Sequence, residues 1–157
     1  RLLIAINEAQ NMGAFINIRI IGCNKNDINL NDDKLPKNIE WLGFVDKSEN
    51  SNEYFNLISE CDIGCLLSKA EAGGICLREF HALGLAVIYS IVGGSPEHVI
   101  KNASIGIPLD MSEKEIANIL FYYFINREEV NKLKNIAFNN SENMLWSYTV
   151  KKIKNII

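Results

Sequence analysis

The stretch Asp62-Ile63-Gly64-Cys65-Leu66-Leu67-Ser68-Lys69-Ala70-Glu71-Ala72-Gly73-Gly74-Ile75-Cys76-Leu77-Arg78-Glu79 decides how the chain is read. It opens with an apolar run and no polar alternation, the pattern of a strand buried on both faces. A glycine-bearing turn follows and leads into a helix from about Gly74 to Leu83, which Gly84 stops. Ala86-Val87-Ile88-Tyr89 is the next apolar strand, and Gly93-Gly94-Ser95-Pro96 the next glycine turn. Pro96 suits the first turn of a short helix, where its missing N–H is no loss.

The same alternation extends outward. Upstream, Leu2, Leu3, Ile6 and Ala9 recur at helical spacing before Gly13, and strands follow over 16–21 and 39–45. Residues 24–37 are polar and close on Pro36, as a loop does. Ser51–Glu60 reads as a short helix with Tyr54, Phe55 and Ile58 inward. Downstream, 105–109 is a last strand, and Ser112 with Glu115 forms a capping box that opens a helix. Helices near 127–138 and over 144–157 complete the chain, the last with Trp146, Val150, Ile153 and Ile156 at helical spacing. Strands that alternate with helices predict an α/β domain with a doubly wound parallel sheet, Rossmann-like, over 1–157. Ligands of such sheets bind outside the carboxyl ends of the strands, the side on which both glycine turns lie.

Composition narrows the field. With 157 residues, 48% hydrophobic and 22% charged, the chain has globular composition and length for one core. No apolar run approaches the roughly 18 residues of a membrane span. A net charge of -3 gives no electrostatic reason to bind nucleic acid. The lysines at 151, 152 and 154 read as a solvated helix face. Cys23, Cys61, Cys65 and Cys76 form no C-x-x-C pair, and with only two histidines a metal site is not expected. Reduced thiols without a signal peptide fit a cytoplasmic protein. The chain starts at Arg1 inside an apolar run, so it reads as a piece that begins mid-domain. Of its 20 asparagines none falls between Asn56 and Asn102, whereas seven of its ten glycines lie from 43 to 94.

The chemistry concentrates around Gly73 and Gly74. Glycines at a helix start allow close approach of a ligand, and free N–H groups with the helix dipole favour an anion. Each such charge-assisted hydrogen bond is worth roughly 1.5–3 kcal/mol. Glu71 precedes this anion site and Glu79 follows Gly74 by five residues, about 8 Å along a helix axis. Carboxylates repel phosphate, so hydroxyls on either side of it are their natural partners. A nucleotide sugar has that layout: sugar hydroxyls, pyrophosphate, ribose hydroxyls. A plainer origin stands beside this one, because Ser68-x-x-Glu71 also matches a capping box.

This segment resembles the Glu-x7-Glu motif of glycosyltransferase family 4, retaining enzymes of the GT-B fold. Ile20-Ile21-Gly22, the strand 39–45, Tyr54-Phe55 with Cys61-Asp62-Ile63, Ser68-x-x-Glu71, Glu79 to Gly84 with Val87-Ile88, Gly93-Gly94-Ser95-Pro96-Glu97 and Trp146 resemble its motifs in order. The resemblance implies the C-terminal, donor-binding half of a GT-B enzyme, whose N-terminal acceptor domain lies upstream. Glu71 would be the catalytic-site residue that holds the donor sugar's hydroxyls, with Ser68 beside it. Glu79 would bind ribose hydroxyls, Gly73 and Gly74 the diphosphate, and Phe44 and Val45 the base. Gly93, Gly94 and Glu97 would shape the pocket floor. It further implies transfer of a hexosyl group from a nucleotide-diphosphate sugar to a glycan or lipid-linked acceptor, with no metal or other cofactor. Polysaccharide biosynthesis in the cytoplasm, at the inner face of the membrane, is the setting, and these residues alone would be inactive as a transferase. The chain departs from the pattern at Leu67, Gly73, Phe80, His81 and Ala86. His81 reads as a packed or edge histidine, and Lys69 and Arg78 as surface residues. The competing readings are a non-catalytic α/β nucleotide-binding or interaction module and another nucleotide-sugar enzyme of the GT-B fold.

Overall fold

A computed structural model describes residues 1–145 and 147. The helix expected over 144–157 therefore lies almost wholly outside the described residues. The chain forms two compact units, residues 1–54 with 110–127 and residues 55–109 with the segment from 128 onward.

In the first unit, α1 (Leu2–Asn11) buries Ala5, Ile6 and Ala9. It packs on α4 (Glu113–Ile125), which buries Ile116, Ala117 and Leu120. The Arg1 guanidinium donates to the carbonyl of Met111 across 110 residues of sequence. α4 starts on the expected capping box: Glu115 N–H donates to Ser112 Oγ at 3.3 Å, and Ser112 N–H donates to the Glu115 carboxylate at 2.8 Å. Two strands, β1 (Ile18–Ile21) and β2 (Ile39–Gly43), pair in parallel from Ile18 opposite Ile39. Gln10 fixes how the chain enters them, donating to the Ile16 and Lys37 carbonyls at 3.0 and 2.9 Å.

Helix α2 (Ser51–Ser59) runs through the boundary between the units. The second unit holds a parallel sheet of β3 (Ile63–Leu66), β4 (Ala86–Ser90) and β5 (Ser104–Ile107), in the order β3-β4-β5. All five residues of the central β4 are buried, which suits its apolar run Ala86–Tyr89 before the buried Ser90. α3 (Ile75–Ala82) turns Leu77 and His81 inward, and Leu77 clusters with Val87, Tyr89, Leu66, Phe80 and Val99. α5 (Arg127–Asn139) buries Val130 and Ala137 and is tied to the start of β3 by Lys134–Asp62 at 2.8 Å. The parallel α/β class expected from the alternation of strands and helices is the class observed.

Candidate functional site

The site is built where β3 and β4 end. β3 stops at Leu66 and α3 starts at Ile75, so residues 67–74 form the turn between them. Gly74 closes it in the left-handed region, φ +57°. A Cβ there would stand 2.9 Å from the Leu77 Cδ1 and 3.2 Å from the Leu66 Cδ2, so both backbone conformation and packing call for glycine. The Gly74 N–H donates to the Glu71 carboxylate at 3.0 Å. No helix begins at Ser68, so the capping-box reading of Ser68 and Glu71 gives way to this one: Glu71 caps α3 from three residues before Gly74. Ser68 is half-buried in the same turn.

The second glycine turn locks into the first. The Gly94 N–H donates to the Glu71 carbonyl at 3.3 Å. A Cβ on Gly93, itself at φ +53°, would lie 1.8 Å from that carbonyl oxygen, and one on Gly94 would lie 2.3 Å from the Ala72 oxygen. Only backbone fits there. Glu71 is thus held at both ends, its carboxylate by Gly74 and its carbonyl by Gly94. Pro96 sits in the first turn of a short 3-10 helix over Ser95–His98, which leaves Glu97 exposed.

Glu79 lies one turn into α3. With Ile75, Arg78 and Ala82, at helical spacing along α3, it lines a groove of about 370 Å³ completed by Phe55, Leu83, Met144 and Leu145. Arg78, half-buried at the edge of this groove, donates to the Met144 carbonyl at 3.1 and 2.8 Å through Nε and a terminal nitrogen. Lys69 is exposed. Phe44 and Val45 follow β2 in the first unit, with Phe44 81% exposed. The structure therefore brings together Glu71, Gly73, Gly74, Gly93 and Gly94.

His98 escaped the sequence reading. Its ring lies against Gly73, 25 positions away, and no local pattern announces a contact at that separation. His81 is fully buried, with Nε2 2.8 Å from the Ser104 Oγ. Burial pushes its pKa down to about 4, against a smaller opposing pull from the Leu85 backbone. Burial also pushes the Cys65 thiol up to about 12, with Cys61 adding to it. Among the described residues, no three His, Cys, Asp or Glu side chains come together as a metal site, and no helix is long and apolar enough to cross a membrane.

Residues 5–140 match the family model of glycosyl transferases group 1. The chain belongs to this family. Among curated proteins no match is found. Solved structures similar to this glycosyl transferases group 1 chain include three bacterial proteins. Anabaena HepE in complex with UDP has a TM-score of 0.73 and 16% identity over 97% of this chain and 43% of its own. A glycosyltransferase from Rickettsia africae has a TM-score of 0.73 and 18% identity over 99% and 42%. A sucrose-phosphate synthase from Thermosynechococcus elongatus has a TM-score of 0.72 and 15% identity over 99% and 41%. This group 1 chain spans less than half the length of each. At such identities the likeness is one of fold, and the site is argued from its own geometry.

Proposed function

We propose that this chain is the donor-binding, C-terminal domain of a retaining glycosyltransferase of the GT-B fold, with the family 4 motif at Glu71 and Glu79. One observation carries the reading: a carboxylate, that of Glu71, already caps the N-terminus of α3 through the Gly74 N–H. A helix start that holds a carboxylate suits a phosphate equally, because the exposed N–H groups and the dipole act on any anion. When the diphosphate of a nucleotide sugar takes the Gly74 N–H, the carboxylate is released to accept hydrogen bonds from the sugar hydroxyls. Glu71 is thereby the residue that orients the donor, and Glu79, on α3, faces the ribose. That HepE is found with UDP favours uracil as the base to try first.

The chemistry follows from that placement. The bond from the anomeric carbon to the phosphate oxygen breaks, and charge builds on the diphosphate. Gly73 and Gly74 N–H groups and the α3 dipole stabilise that charge, the effect that makes oriented donors worth 10²–10³ in rate elsewhere. The acceptor hydroxyl bonds to the anomeric carbon on the face the diphosphate leaves, and its proton passes to the departing phosphate oxygen. Stereochemistry is retained through an oxocarbenium-like state. No step requires a metal. A hexosyl group, a glycan or lipid-linked acceptor and a cytoplasmic setting at the inner membrane face complete the proposal.

Calorimetry with UDP, GDP and ADP on the full-length protein tests it. We expect one diphosphate to bind at micromolar to millimolar concentration, and Glu79→Ala to weaken it about tenfold, the loss of one charge-assisted hydrogen bond. No binding of any of the three, or binding indifferent to Glu79→Ala, favours the non-catalytic module instead.

A further inference from the structure

His98 stands at the donor turn with its two ring nitrogens in different surroundings. A Cβ built on Gly73 would lie 3.0 Å from His98 Nε2, 3.5 Å from Cε1 and 3.6 Å from Cδ2. The ring therefore occupies the place a side chain at position 73 would take, with Nε2 nearest. Nδ1 is buried and has no hydrogen-bond partner among the described residues. A buried N–H without an acceptor is a rarer and costlier deficit than a buried lone pair without a donor. The neutral ring therefore carries its proton on Nε2 and leaves the lone pair on Nδ1. An N–H donor is thus presented at Gly73, next to the residue whose own N–H already holds an anion.

We propose that His98 is a specificity-determining residue of the donor site, its Nε2–H donating to the diphosphate of the nucleotide sugar at Gly73–Gly74. The inference rests on the donor-binding reading above and extends it. Glycine at 73 has a function in this arrangement: it clears the space through which the imidazole reaches the turn. Selectivity follows, because a ring aimed at the phosphates strengthens binding of a diphosphate and leaves a bare nucleoside unaffected.

The test compares wild type, His98→Phe and His98→Gln in the full-length protein. Phenylalanine keeps a ring against Gly73 without a donor, and glutamine keeps an N–H donor. Calorimetry is run with UDP, GDP and ADP and with uridine, guanosine and adenosine. For the diphosphate that binds, we expect His98→Phe to weaken it about tenfold and His98→Gln by less than about threefold, with the matching nucleoside unchanged. A His98→Phe protein that binds the diphosphate as wild type does, or that loses diphosphate and nucleoside equally, overturns the proposal and leaves the ring as packing. Wild type that binds none of the three diphosphates overturns the donor-site reading itself, and the inference with it. Should His98→Phe fail to fold, the ¹⁵N resonances of wild-type His98 decide. Protonation at Nε2 and a shift on adding the diphosphate, absent on adding nucleoside, support the proposal, and protonation at Nδ1 overturns it.

Discussion

His81 and His98 are the two histidines of the chain, and the fold treats them oppositely. His98 brings a ring to the Gly73–Gly74 turn, whereas His81 points into the core from α3 and is fully buried. The Ser104 Oγ donates to the Ile100 carbonyl at 2.9 Å, so it accepts the His81 Nε2–H. Burial, opposed weakly by the Leu85 backbone, lowers the His81 pKa from 6.5 to about 4. The unfolded chain therefore binds a proton that the folded one refuses. Stability is complete above pH 6.5 and falls as the pH drops towards 4, by roughly 3 kcal/mol in all. Urea unfolding at pH 7 and at pH 4.5 checks this, and His81→Leu should flatten the part of the slope that His81 supplies. The residue type was legible as packed; its protonation was not, because protonation depends on Ser104, β5 and the depth of the core.

At the scale of elements, the site consists of two turns that interlock, and both were visible as glycine pairs after apolar strands. What sequence could not show is which function each glycine serves. Gly93 and Gly94 fit against the carbonyls of Glu71 and Ala72, so they position the turn that carries the carboxylate. Gly93→Ala puts a methyl group into a backbone oxygen that cannot swing aside and forces a left-handed φ. We expect a loss of about 3 kcal/mol, summed from strain and overpacking, and weakened diphosphate binding alongside it. Thermal unfolding together with calorimetry checks this, and an unchanged Tm would show that the turns do not meet. The same logic explains Phe80, a departure from the family pattern. A Cβ on Gly64 would lie 2.3 Å from its ring, so glycine on β3 makes room for a large side chain on α3. Element ends moved by a residue or two for local reasons: the strand read as 39–45 stops at Gly43, where φ turns to +60°. The Ser112–Glu115 box was legible outright because a cap is decided within four residues.

For the whole molecule, the compositional boundary gains a meaning. The asparagine-free stretch from 57 to 101 falls inside the second unit's residues 55–109, where buried strands and tight turns leave little use for asparagine. Residues 110–127 rejoin the first unit, which no local pattern announced. The chain spans less than half the length of the enzymes it resembles. We therefore expect residues 1–157 alone to bind the nucleotide diphosphate without transferring sugar. Assays of UDP release from UDP-glucose with an acceptor glycan check this, and turnover by residues 1–157 would overturn it.

Sequence alone determined the parallel α/β class, the order of the elements and the glutamates and glycines of the motif. These rest on hydrophobic period, glycine and caps, all read within a dozen residues. Tertiary structure decided the rest. It set the Glu71 carboxylate on the Gly74 N–H, backed that turn with the Gly93–Gly94 backbone and laid His98 on Gly73. It also paired Arg78 with the Met144 carbonyl. Each of these except the Glu71–Gly74 bond joins residues about 20 or more positions apart, and close approach at that separation is a property of packed chains that no local pattern of residue types encodes.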